Sequence, residues 1–144
     1  MKLKIGIESP KKFDVEDLLT FLSEELNISE DAELMVVYND DLLNRLSTGD
    51  IEYEALLYNP AQDRYVLYVK ESISGLQYVL CHEMIHLQQY DRGDLQMSSD
   101  FRTVIWKGET FNNSSEYLER EWEEEAFGQQ NKLWKKFKNE NKRR

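Results

Sequence analysis

The stretch Val79-Leu80-Cys81-His82-Glu83-Met84-Ile85-His86-Leu87 decides how this chain is read. Within it His82-Glu83-Met84-Ile85-His86 is an HExxH pattern, and its two histidines are the only ones among 144 residues. On a helix, side chains four apart lie one above the other, so both imidazoles can reach a single Zn²⁺. Glu83, one position on, stands beside such an ion rather than on it. There a carboxylate can take a proton from a metal-bound water. Short patterns of this kind also arise by chance, so the rest of the chain must supply the context.

The length suits one domain, residues 1–144, with enough chain for a core without disulfides or a structural metal. Hydrophobic residues make up 40% and Gly and Pro are few, the composition of an ordinary folded protein. The N-terminus is too short and polar for a signal peptide, and no apolar run nears the ~20 residues needed to span a bilayer. The lone cysteine, Cys81, excludes an internal disulfide and fits a reducing compartment. These features predict a soluble, cytoplasmic protein with no membrane partner. The net charge is −10, unevenly spread. Residues 131–144 hold seven basic residues and one acid, a basic tail of +6, so the other 130 residues carry −16. An acidic body argues against nucleic-acid binding, and the tail reads as solvated lysines complementing a helix C-terminus.

Around the motif, apolar periodicity predicts a mixed α+β domain. Residues 2–7 alternate as a strand that Ser9-Pro10 breaks, and Asp14 caps a helix carrying Val15, Leu18, Leu19, Leu22 and Leu26. Residues 34–38 form a buried strand, and a helical turn at 42–46 precedes a loop at 47–50. Two β-rich runs, 51–58 and 65–69, flank the turn cluster 59–63 as a hairpin. Residues 72–75 offer caps for the motif helix, and Gly93 stops it. Residues 103–106 form a short strand closed by Lys107-Gly108. Ser114 or Ser115 caps a long last helix.

A catalytic zinc needs three protein ligands and an open position. With both histidines used, the third is Glu, Asp or Cys. The three-histidine extension is excluded, because Gln89 and Arg92 occupy the positions where it needs Gly and His. Cys81 lies about 100° around the helix from His82 and reads as a small buried hydrophobe. The helix containing Tyr117-Leu118-Glu119-Arg120-Glu121-Trp122-Glu123-Glu124-Glu125-Ala126-Phe127 crowds five glutamates, whose repulsion a cation beneath would offset. Its buried face is Leu118, Trp122, Ala126 and one of Phe127 or Leu133. Glu119, Glu123 and Glu125 flank that face, and spacing does not choose among them.

HExxH followed by a distant helical glutamate resembles the gluzincin metallopeptidases, and the short length resembles their minimal bacterial and phage members. The resemblance covers about residues 64–130 and rests on His82 to His86, Trp106-Lys107-Gly108, and Tyr117, Trp122 and Glu123 to Ala126. Glu121 departs from the group, which often has Pro before the aromatic residue. The resemblance implies a zincin-like fold: a small mixed sheet packed on the HExxH helix and on a long C-terminal helix bearing the glutamate. It implies Glu123 as third ligand, Ala126 as the small residue where the two helices meet, and a sheet edge that pairs with an extended peptide substrate. It also implies zinc-dependent peptide hydrolysis, with one Zn²⁺ on His82, His86 and Glu123 and with Glu83 as general base and acid. Tyr117 and Tyr90 are candidate donors to the substrate carbonyl oxygen. Glu125 is either a residue orienting a histidine or the ligand itself in a shifted register, and Asp91, Asp94 and Asp100 could also accept a histidine N–H. The competing readings are an inactive zincin-fold protein acting through metal or protein contacts, and an HExxH helix that binds no metal.

Overall fold

A computed structural model describes residues 1–5, 14–47, 53–70, 73–100, 102–112 and 120–142, with residues 141 and 142 described in their backbone only. The described residues form a small α+β protein of four helices and two sheets, in the order β1 (Lys2–Ile5), α1 (Val15–Glu25), β2 (Glu33–Tyr38), α2 (Asp40–Leu46), β3 (Ala55–Ala61), β4 (Arg64–Val69), α3 (Leu76–Asp91), β5 (Leu95–Met97), β6 (Thr103–Trp106), β7 (Glu109–Asn112) and α4 (Glu121–Lys142). None of these helices is long and apolar enough to cross a membrane.

The larger sheet runs β1-β2-β4-β3. β1, β2 and β4 are parallel, and β3 lies antiparallel on β4 at the edge. Alternation sets its two faces. Leu34 and Val36 of β2 and Tyr65, Leu67 and Val69 of β4 point into a core shared with Leu18, Leu19 and Leu22 of α1 and Leu80, Met84 and Leu87 of α3, while Glu33, Met35 and Arg64 point out. Leu67 is completely buried on the central β4. Leu67→Ala is therefore expected to cost about 2–5 kcal/mol in a denaturant titration; a loss well under ~1 kcal/mol would mean that the core collapses around the gap.

Local chemistry sets the element ends. Asp14 caps α1 by accepting from the Asp17 N–H. Asn27, at φ 53°, turns the chain out of α1 in the left-handed conformation that asparagine tolerates. α3 starts at Gly75, which is left-handed at φ 72° and uses no side-chain cap, so neither serine nor threonine chemistry starts this helix. α3 buries residues on most of its surface because sheet, α1 and α4 surround it.

Three expectations change. The 59–63 turn shrinks to Gln62-Asp63, because β3 continues through Pro60. A register shift between Tyr58 and Ala61 accommodates the proline, which has no N–H to give, and the Asn59 Nδ2 donates to Ala61 O and Arg64 O at 2.7 Å each. Lys107-Gly108 does not merely close a strand. It is the two-residue turn of a hairpin, with both residues at positive φ, and this hairpin joins β6 to β7 in a second sheet, β5-β6-β7, that periodicity did not predict. On α4, Leu133 joins the buried face and Phe127 does not. Gly6, Ile7, Ser9, Pro10, Thr48 to Glu52, Ser72, Ser114, Ser115, Tyr117, Leu118 and Glu119 lie outside the described residues.

Candidate metal centre

α3 and α4 pack along each other, and their contact builds the site. His82 and His86 are one turn apart on α3, and Glu123 projects from the first turn of α4. The His86 Nε2 lies 2.6 Å from Glu123 Oε1, the His82 Nε2 lies 3.1 Å from Glu123 Oε2, and the two Nε2 atoms are 3.1 Å apart. One ligand atom from each residue falls within 4.8 Å of the others, the group among the described residues that could hold a metal ion. Four-coordinate zinc with bonds of 2.0–2.1 Å separates its ligands by about 3.3 Å, close to the spacings present.

The outer nitrogens decide what those inner atoms carry. The Gln89 Nε2 faces two acceptors, Trp122 O at 3.0 Å and Glu125 Oε1 at 3.1 Å. Its amide oxygen therefore faces the His86 Nδ1, at 2.8 Å, and that nitrogen must be the N–H. Gln130 Oε1 stands likewise 2.8 Å from the His82 Nδ1. With both Nδ1 atoms donating, both Nε2 lone pairs converge on a carboxylate. Three acceptors in one pocket leave a place for a cation between them, and this donor set fits Zn²⁺.

Without metal, a proton takes that place. Burial alone would lower the His86 pKa, but the Glu123 carboxylate reverses this and holds it at about 9. Burial raises Glu123, and the two histidines override it, bringing the carboxylate to about 2. The folded, metal-free His86 pKa thus lies above its ordinary value, so near neutral pH an incoming ion must displace a proton. Zinc binding is expected to release about one proton, with apparent affinity rising roughly tenfold per pH unit between about pH 6 and 8. Calorimetry in buffers of different ionisation enthalpy reads this directly, and a pH-independent affinity would contradict it.

Glu83 opens into the same cleft, a space of about 310 Å³ whose lining includes residues 53–57, Tyr78, Val79 and Phe127. The Leu57 N–H hydrogen-bonds its carboxylate, so the outer edge of β3 faces Glu83. Burial, opposed by the histidines, leaves the Glu83 pKa raised. Tyr90 lines the cleft too, and burial followed by the Glu83 charge keeps its hydroxyl protonated. The Phe127 ring lies 4.5 Å from that of His82.

The other candidates stand elsewhere. Glu125 touches neither histidine and binds Gln89 and the Arg92 Nη2. Asp91 accepts from the Ser29 N–H, Asp94 pairs with Arg92, and Asp100 accepts from Ser98 and the Arg102 N–H. Cys81 is fully buried, its thiol pushed up to about 12 by burial. Ala126 is fully buried in the core. Sequence reasoning missed Gln89 and Gln130, although spacing could have found them: Gln89 follows His86 by three residues and Gln130 follows Glu123 by two turns, each on the ligand's own face. No protein-family model, curated protein or solved structure matches this chain.

Proposed function

We propose that this chain is a zinc-dependent peptide hydrolase with a zincin-like fold of the minimal gluzincin kind, in which His82, His86 and Glu123 hold the ion. The observation that carries the reading is the convergence of three acceptor atoms, with both histidine tautomers set from outside, beside a carboxylate that opens into a cleft. When bound, Zn²⁺ polarises a carbonyl and acidifies a water. The protein's own groups do the rest. Glu83 accepts a proton from the attacking water and delivers it to the departing amide nitrogen as the C–N bond breaks. Its hydrogen bond from the Leu57 N–H holds the carboxylate at the floor of the cleft.

The edge strand β3 supports a peptide as substrate. An extended segment laid along residues 53–57 can add to the sheet through backbone hydrogen bonds, which asks little of its sequence. Tyr78 and Phe127, two large hydrophobic side chains left exposed, also line the cleft and offer apolar contact to side chains of that segment. Metal analysis of untagged protein and a cleavage assay on an unfolded protein mixture test the proposal. About one zinc per chain with cleavage is expected. Zinc without cleavage would reduce the chain to a metal-binding module, and absence of zinc would remove the metal centre.

A further inference from the structure

Gln89 is completely buried, yet it carries one of the most polar neutral side chains. Three hydrogen bonds account for it. Its oxygen accepts from the His86 Nδ1–H, and its nitrogen donates to Trp122 O and to Glu125 Oε1. Trp122 is the residue before Glu123, so one amide grips a metal ligand on α3 and the backbone next to the ligand on α4. Glu125 is held in turn by the Arg92 Nη2 at 2.8 Å, and the Arg92 Nε by Asp94 Oδ2 at 2.6 Å. Both residues come from the end of α3 or the turn after it, so the loop of contacts closes on itself.

We infer that Gln89 is the positioning residue of the metal centre: a clamp that sets the His86 tautomer and, through Trp122 O and Glu125, fixes where Glu123 stands relative to His86 before an ion arrives. A carboxylate could accept from His86 but could not donate to Trp122 O, and a lysine could do only the reverse. The amide is the group that does both. Gln130 orients His82 with one bond and ties it to α4, whereas Gln89 couples two ligands. The inference rests on the metal-centre reading.

The test compares wild type with Gln89→Met, of similar volume and without polar groups, by zinc affinity and by the visible absorption of the Co²⁺-substituted protein. A clamp predicts zinc affinity reduced on the order of 10–100-fold and a changed Co²⁺ spectrum. Glu125→Ala, at a half-exposed position, removes one anchor and should shift both readouts the same way by less. A purely structural glutamine would lower thermal stability of the metal-free chain and leave affinity and spectrum unchanged, and that result overturns the clamp. If Gln89→Met does not fold, wild-type affinity and spectrum in Glu125→Ala overturn it instead. Wild type that binds neither ion overturns the metal centre itself.

Discussion

Glu83→Gln is expected to leave zinc bound at about one per chain while peptide cleavage falls on the order of 10²–10⁴-fold, the range that general acid–base catalysis contributes. The substitution is close to isosteric. A glutamine oxygen can still accept the Leu57 N–H, so the cleft floor and the α3 backbone have no reason to move. What disappears is the ability to take and return a proton. Glu83 is not among the three residues whose ligand atoms converge, so that set remains whole. Metal content by elemental analysis and cleavage of an unfolded protein mixture, measured on the same preparations, give the two halves of the result. Equal cleavage by both proteins would sink the enzymatic reading while leaving the metal centre untouched.

The second large effect concerns stability. A ligand that binds only the folded chain adds about 4 kcal/mol when its free concentration is a thousand times Kd. For a domain near this size each kcal/mol moves Tm by roughly 2–4 °C, so saturating zinc should raise Tm by about 8–16 °C over protein treated with a chelator. Glu123→Ala should lose most of that increment, because it removes the carboxylate that faces both Nε2 atoms. Glu125→Ala should keep most of it, because Glu125 reaches His86 only through Gln89. Thermal unfolding with and without zinc separates the two. The reverse pattern would move the third ligand to Glu125.

Much of the fold was legible because local signals and burial agreed. Asp14 sits one residue before an apolar row, and the alternation in β2 and β4 follows the sheet faces. The grouping of both histidines with a glutamate of the acidic last helix was legible for a similar reason: scarcity of histidine left few ways to complete a set of three ligands. The second sheet was not legible. β5 has three residues and β7 four, too short for alternation to register, and what holds them is Trp106 and Phe111 packing on Trp122 with the Trp106 Nε1–H bonded to Glu121 Oε2. Such contacts join residues 11 to 16 apart, and periodicity within one element carries no trace of them. Phe127 misled for a related reason. Its spacing fits the apolar face of α4, but the cleft opens beneath it.

A sheet edge that accepts a foreign strand is also a template on which identical chains can stack. Here the β3 edge is recessed: Ala55, Leu56 and Leu57 are 8%, 5% and 3% exposed although they line the cleft. Pro60 and the irregularity before Ala61 spoil the ladder at the far end, and the −10 charge keeps copies apart. On the proposed reading, this recessed edge suits a slender unfolded segment rather than a bulky folded neighbour. The same recess would then serve two ends, keeping the edge from pairing with other copies and limiting what reaches Glu83.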